Sequence, residues 1–168
     1  MSAATALTAC SFHPDGHLFA TGTQSGQVIL YYTQSLQWAA TLDLGAPVKA
    51  IVFSENGYWV AATGEGQTSV TILDLRKAGD AAKVKEIETG SPVTGLAWDF
   101  TGQYLAVAGP SGIAVQQYHK STKAWSEPWR TASPSVGVRW GRMAKELVSV
   151  SKEGKLTTFA TAQVVGSS

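Results

Sequence analysis

Three histidines, one cysteine and twelve carboxylates are the side chains of this 168-residue sequence that could do chemistry. Cys10 and His13 stand close enough for a thiolate–imidazole pair, which would make a nucleophile. Cys10, however, falls in an apolar segment that reads as an inner strand, where a free cysteine serves as a small buried hydrophobe. His13 and His17 flank a turn and His119 follows a strand, so no two histidines share the spacing of a zinc site on one element. Gly64-Glu65-Gly66, followed by Gln67-Thr68-Ser69, has the look of a phosphate loop. No helix pattern follows it and no lysine holds the required position, so it reads as a hairpin turn. The carboxylates are scattered over turns, and no two are placed together. The stretch from Lys123 to Arg130 mixes cations with Trp125 and Trp129. That composition suits base stacking, but the better reading is an outer strand whose tryptophans pack on a sheet. No catalytic group, metal or cofactor is expected.

The bulk numbers exclude further classes. A net charge of +1 gives no support for a nucleic-acid groove or an anionic membrane surface. Charged residues make up 15%, against roughly 25% in an average soluble domain. With 17 glycines, this implies short strands joined by tight turns. One cysteine allows no internal disulfide, which fits a reducing compartment. The N-terminus lacks the pattern of a signal peptide. Leu18 to Leu42 carries no charge, yet Gln24, Ser25, Gly26, Thr33, Gln34 and Gln37 cut it into strand-length pieces, so no membrane span is expected.

The elements that must position any site come from a repeat. Leu7–Tyr32, Val48–Leu75 and Val93–Tyr118 align, and Val136–Phe159 is a weaker fourth copy. The anchor aromatics Phe12, Phe53, Trp98 and Trp140 recur at spacings of 41, 45 and 42. Gly16, Gly57 and Gly102 close the turns that follow, and Ala144 takes that place in the fourth copy. A first strand such as Val48–Phe53 precedes each turn. A second strand follows it, apolar on both faces, at 18–20, 59–62 and 104–108. Third strands are expected at 28–32, 70–73, 113–117 and 156–159, and edge-like fourth strands at 38–42, 83–88 and 125–130. Ala20, Ala61 and Ala106 recur where neighbouring sheets should approach most closely. A period of roughly 40–45 residues with four strands per unit is the pattern of β-propeller blades. The expected organisation is a single all-β partial propeller over residues 1–168, with blades near 7–42, 48–88, 93–130 and 136–160 and a short polar tail over 161–168. An all-β sandwich is the alternative architecture.

Phe12-His13-Pro14-Asp15-Gly16 with Thr21-Gly22-Thr23, then Phe53-Ser54-Glu55-Asn56-Gly57-Tyr58, then Leu73-Asp74-Leu75-Arg76-Lys77 resemble the WD-repeat domain of the pre-mRNA-processing factor family that names the spliceosomal Nineteen complex. The resemblance runs from about Ala9 to Phe159 and is strongest in the first two copies. It implies the C-terminal part of a seven-bladed propeller in a nuclear U-box ubiquitin ligase, a scaffold that recruits splicing factors and ubiquitination substrates. Ligase chemistry would lie outside this chain, since no U-box or heptad segment is present, and the remainder of the propeller would be a partner. DNA repair belongs to the same implied setting.

The sequence also departs from the WD pattern. Gly45-Ala46-Pro47 and Gly90-Ser91-Pro92 replace Gly-His, Leu73-Asp74 replaces Trp-Asp, and the turn aspartate between second and third strands is missing. Packing alone is therefore expected to hold the blades together. Protein binding on the rim is the leading function, through Lys49, Glu65, Thr94 and Ser111, which stand in or beside its loops. Direct nucleic-acid binding is not expected. An independent four-bladed module and a channel enzyme are the alternatives. The enzyme would need inward polar residues where the first strands carry Ala50, Val52, Leu96 and Val138.

Overall fold

Short apolar segments punctuated by glycine turns fold as antiparallel hairpins, because each turn returns the chain alongside itself. The computed structural model describes residues 6–77 and 79–165 and shows four such sheets. The first contains β1 (Leu7–Phe12), β2 (Leu18–Thr23), β3 (Gln27–Tyr32) and β4 (Trp38–Asp43) in that order. The second contains β5 (Val48–Phe53), β6 (Trp59–Gly64), β7 (Ser69–Asp74) and β8 (Lys83–Glu88), with a 3-10 turn at Gly79–Ala82 leading into β8. The third contains β9 (Gly95–Trp98), β10 (Tyr104–Gly109) and the long β11 (Gly112–His119). Its outer strand is broken into β12 (Ala124–Trp125) and β13 (Trp129–Thr131), which pair with opposite ends of β11. Pro128 lies between them and has no N–H to give the ladder. The fourth sheet has β14 (Gly137–Trp140), β15 (Glu146–Val150) and β16 (Leu156–Ala160).

The turns after the first strands behave as their residues require. Gly16, Gly57 and Gly102 have φ of 75°, 72° and 63°, and each donates its N–H to the carbonyl three residues back. Ala144 fills the same place at φ 49°, and its N–H likewise bonds Gly141. Lacking glycine, the fourth unit makes this turn with a residue that resists the left-handed region.

The innermost strands β1, β5, β9 and β14 pack in succession, so the sheets stand side by side like blades. Three apolar clusters fill the gaps. Ala20, Val28 and Leu30 meet Ile51, Phe53 and Val60 between the first and second sheets. Trp59, Val70 and Ile72 meet Leu96, Trp98 and Leu105 between the second and third. Ala106, Ile113 and Val115 meet Val138 and Leu147 between the third and fourth. Ala20, Ala61 and Ala106 are all fully buried, one in each of these clusters. At about 1.5–3 kcal/mol for each large aliphatic or aromatic side chain removed from water, these seams supply most of the stabilisation.

Packing is not alone, which corrects the expectation from the degenerate motifs. The His13 imidazole Nε2 bonds the Gly57 carbonyl at 2.9 Å, and Asn56 Nδ2 donates to the Gly102 carbonyl at 2.8 Å. Trp140 Nε1 donates to Ala97 O at 3.1 Å. Each bond crosses from one sheet to the next. At about 1 kcal/mol apiece they add less than packing, but they are directional and fix the stagger of neighbouring sheets.

Two further expectations are corrected. Cys10 is exposed, because the face of β1 that carries it has no sheet against it. The segment after β16, expected as a short polar tail, is not simply a tail in the described residues. The chain turns instead into α1 (Thr161–Val165), and Val164 buries itself in the third seam. Residues 166–168 of the expected tail, and the first five residues of the chain, lie outside the described residues.

Candidate functional site

In an antiparallel blade the start of the first strand and the turn between second and third strands come to the same end. Lys49, Glu65, Thr94 and Ser111 therefore belong to one rim, although they come from two different sheets. Thr94 and Ser111 are occupied in structural bonds. Thr94 Oγ1 lies 2.7 Å from the Ser135 carbonyl of the fourth unit and 3.1 Å from Ala108 O. The Ser111 hydroxyl shares a 2.7 Å hydrogen bond with Ser91 Oγ and lies 2.9 Å from Thr89 O. These contacts shape a cleft of about 310 Å³ lined by Thr89, Ser111, Gly112, Arg130 and Thr131. Arg130 donates from Nη2 to Glu88 O at 2.6 Å along its margin.

Lys49 and Glu65 are exposed. The pairings Ala50↔Thr63 and Gly95↔Ala108 put Lys49 and Thr94 at equivalent positions, and Thr8 is their counterpart in the first sheet. Thr8 Oγ1 donates to Val48 O at 2.6 Å, just as Thr94 donates to Ser135 O. Threonine at this position thus ties its sheet to the next. Lysine breaks the series, because its ammonium lies too far from its own backbone to make the same short bond. Thr8 and Lys49 sit in equivalent β-bulges, between Leu7 and Ala9 and between Val48 and Ala50, so the backbone is alike at both and the side chain makes the difference. The tie has been given up for a cation turned to solvent. Sequence reasoning placed Lys49 beside the rim but missed this relation, which needs the aligned registers to be seen.

The opposite rim carries the turns joining first and second strands. Asp74 and Arg76 mark its outer side. Arg76 grips Asp74 with two bonds, Nε to Oδ1 at 2.8 Å and Nη2 to Oδ2 at 2.7 Å, and its guanidinium lies 4.5 Å from the centroid of the Tyr58 ring. The Arg76 side-chain bond holds the Asp74 carboxyl below its ordinary range, against the opposing effect of burial. Trp59, Tyr118 and Trp125 pack together beside this pair. Trp125 packs both on Tyr118 of its own sheet and on Trp59 of the second, and Trp129 packs on Phe159 of the fourth sheet at 5.6 Å.

These sheets match known proteins in the same terms. Residues 2–31 match the family model described as WD domain, G-beta repeat. The chain is 32% identical over 120 residues to Pre-mRNA-processing factor 19 of Schizosaccharomyces pombe, covering 71% of this chain and 24% of that protein. It is 34% identical over 121 residues to the Oryza sativa protein of the same name, with 71% and 22% covered, and 35% identical over 111 residues to that of Dictyostelium discoideum, with 63% and 21% covered. The chain carries a WD repeat and, over about 70% of its length, is homologous to proteins named Pre-mRNA-processing factor 19. It spans about a quarter of the length of the curated relatives it matches. A chain of Kuenenia stuttgartiensis Hydrazine Synthase has the same fold, with a TM-score of 0.76 at 17% identity over 98% of this chain and 49% of that one.

The inner side of the WD-repeat arc is a concavity of about 500 Å³ lined by Ala50, Val52, Leu96, Val138, Val148 and Leu156. Its one cation among the described lining residues, Arg139, is turned to backbone, with Nη1 3.0 Å from Leu96 O. The rest of the lining is mainly aliphatic, with the hydroxyl side chains of Thr94 and Ser149. Among the described residues, no three His, Cys, Asp or Glu side chains gather in a group that could hold a metal ion, and no helix is long and apolar enough to cross a membrane. Gly64-Glu65-Gly66 is a hairpin turn, with Gly66 at φ 70° and Gln67 N–H bonded to Gly64 O. His13 and His17 serve the first turn, where His17 N–H donates to Asp15 Oδ1 at 2.8 Å.

Proposed function

We propose that this WD-repeat chain is a scaffold that holds protein partners of pre-mRNA processing in the nucleus, using the rim that carries Lys49 and Glu65. The observation that carries the reading is Lys49 itself. It stands where Thr8 and Thr94 make structural ties, so its conformation is left to be set by whatever it meets. Thr94 and Ser111 hold the loops in place around it, which lets a partner bind a surface already formed rather than one it must order. The family relationship supplies the setting: the matched relatives are named for pre-mRNA processing. In the same reading the partners include ubiquitination substrates and splicing factors, transfer chemistry is supplied by a separate domain, and further blades complete the propeller.

The test is affinity capture from nuclear extract with the wild-type chain and with a Lys49→Glu, Glu65→Lys double variant. Recovery of splicing proteins by the wild type, reduced at least about tenfold by the variant, supports the reading; a tenfold change corresponds to about 1.4 kcal/mol. Equal recovery by both removes the rim from the proposal, and no recovery of splicing proteins by either removes the function.

A further inference from the structure

On the rim opposite Lys49, the seam between the second and third sheets opens into a cleft of about 360 Å³. Its walls come from the turns that join the third and fourth strands of these two sheets. The second sheet supplies Arg76, Lys77 and Lys83, and the third supplies Lys123 with Tyr118 and Trp125. Four of the chain's 13 lysines and arginines therefore line one cleft. Asp74 is the one carboxylate among the described lining residues, and it is committed. Arg76 holds both its oxygens, through Nε at 2.8 Å and Nη2 at 2.7 Å. Lys77, Lys83 and Lys123 are exposed and form no ion pair among the described residues. A chain with a net charge of only +1 thus carries a local excess of cations at this seam.

The fold does not dictate this excess. The corresponding turn of the first sheet, residues 33–37, carries no charge. Its Leu36 has φ 56° two residues before Trp38 of β4, and Lys123 has φ 53° two residues before Trp125 of β12. The turn asks for a residue in the left-handed region, not for a lysine. The aromatic side chains are not a platform for nucleotides either. Trp59 is 4% exposed, with Trp98, Tyr118 and Trp125 packed against it, so it has no face on which a base could stack. The cleft has room for one or two side chains of an extended segment.

We propose that this cleft receives a phosphorylated side chain from an extended segment of a protein partner. One lysine suffices for a carboxylate. Three ammoniums lining a single cleft suit a group with more than one negative charge, and a phosphomonoester carries about 1.5 to 2 with three acceptor oxygens. Lysines meet a phosphate as point charges, with no fixed fork geometry to satisfy. Tyr118 and Trp125 give apolar contact to the residues that flank the phosphate. Arg76, held by Asp74 and lying 4.5 Å from the centroid of the Tyr58 ring, adds positive potential without leaving its place. The cleft and the Lys49 rim are separate surfaces, so the inference goes beyond the function proposed above and does not depend on that rim.

Fluorescence anisotropy on the 168-residue chain tests it, with two labelled peptide libraries of the same composition. One library has phosphoserine at its central position and the other serine. The phosphorylated library should bind at least about tenfold more tightly, and inorganic phosphate should compete with it. Lys83→Glu and Lys123→Glu change exposed residues, so each should keep the wild-type circular dichroism while weakening binding by about tenfold or more. Lys155→Glu, the same charge change at an exposed position just before β16, and Lys49→Glu should stay within about twofold of wild type, because salt screens distant exposed charges. Equal binding of the two libraries, or binding of neither, overturns the proposal. A loss in Lys155→Glu as large as in the cleft variants also overturns it, since net charge alone then explains the binding. A single-stranded oligonucleotide of matched charge that binds as tightly, and that is weakened by the same two substitutions, overturns it in favour of a nucleic acid.

Discussion

Trp59 of the second sheet and Trp98 of the third lie nearly parallel, with ring centroids 5.9 Å apart and 24° between their planes. Trp125 and Tyr118 close around the Trp59 ring at 5.2 and 4.6 Å. The second seam therefore turns on one indole from the sheet that precedes it. Trp59→Ala should cost about 3–5 kcal/mol, measured as a shift in the urea midpoint with unchanged slope. Trp38→Ala, at a position largely open to solvent, should cost under about 1 kcal/mol.

Lys49→Thr should stabilise the chain. The hydroxyl would reach the Val93 carbonyl as Thr8 reaches Val48 and Thr94 reaches Ser135, adding about 0.5–1.5 kcal/mol. Lys49→Val, the same shape without the hydroxyl, is the control and should fall short of the threonine variant by that amount in a denaturant melt.

Acid sensitivity should be traceable to Asp74. Its folded-state pKa is lowered, first by the Arg76 side-chain bond. A carboxylate of this kind contributes stability above its unfolded value of about 3.9 and loses it as pH falls through the folded value. Asp74→Asn should therefore be less stable than wild type at pH 7, by about 1–2 kcal/mol. It should also lose less stability on acidification below about pH 5. Urea melts at a series of pH values check both; parallel curves for the two proteins would contradict the assignment.

Gly112→Ala should be among the most damaging single substitutions. Gly112 has φ 135°, and a Cβ added there would lie 2.0 Å from the Thr131 carbonyl oxygen. The backbone strain and the clash together should cost more than about 3 kcal/mol. β13 is the element pressed, so the fluorescence of Trp129 should shift to the red in the folded variant.

Much of this fold is legible in the sequence. Turn tetrapeptides, anchor aromatics and the recurring alanines located the hairpins, because tight turns and doubly buried strands demand particular residue types wherever they occur. The predicted β8 range, 83–88, is the observed one. The weaker outcomes have one cause. The exposure of Cys10, the break at Pro128 and the helix holding Val164 each depend on what lies beside an element rather than on its own pattern.

The sequence by itself determined the four repeats, their strand order and the hairpin character of the Gly64-Glu65-Gly66 segment, since these follow from local turn chemistry and hydrophobic period. Only the tertiary structure decided which faces are covered. Phe12 and Phe53 stand at the same position of the repeat, yet one is open and the other buried. The difference lies wholly in whether a neighbouring sheet stands against them. The same holds at the rim: Lys49 differs from Thr94 as a letter in the sequence, but that it forgoes a tie between sheets is a fact about registers and distances. Those are set when separate hairpins pack, by long-range contacts that no single repeat encodes.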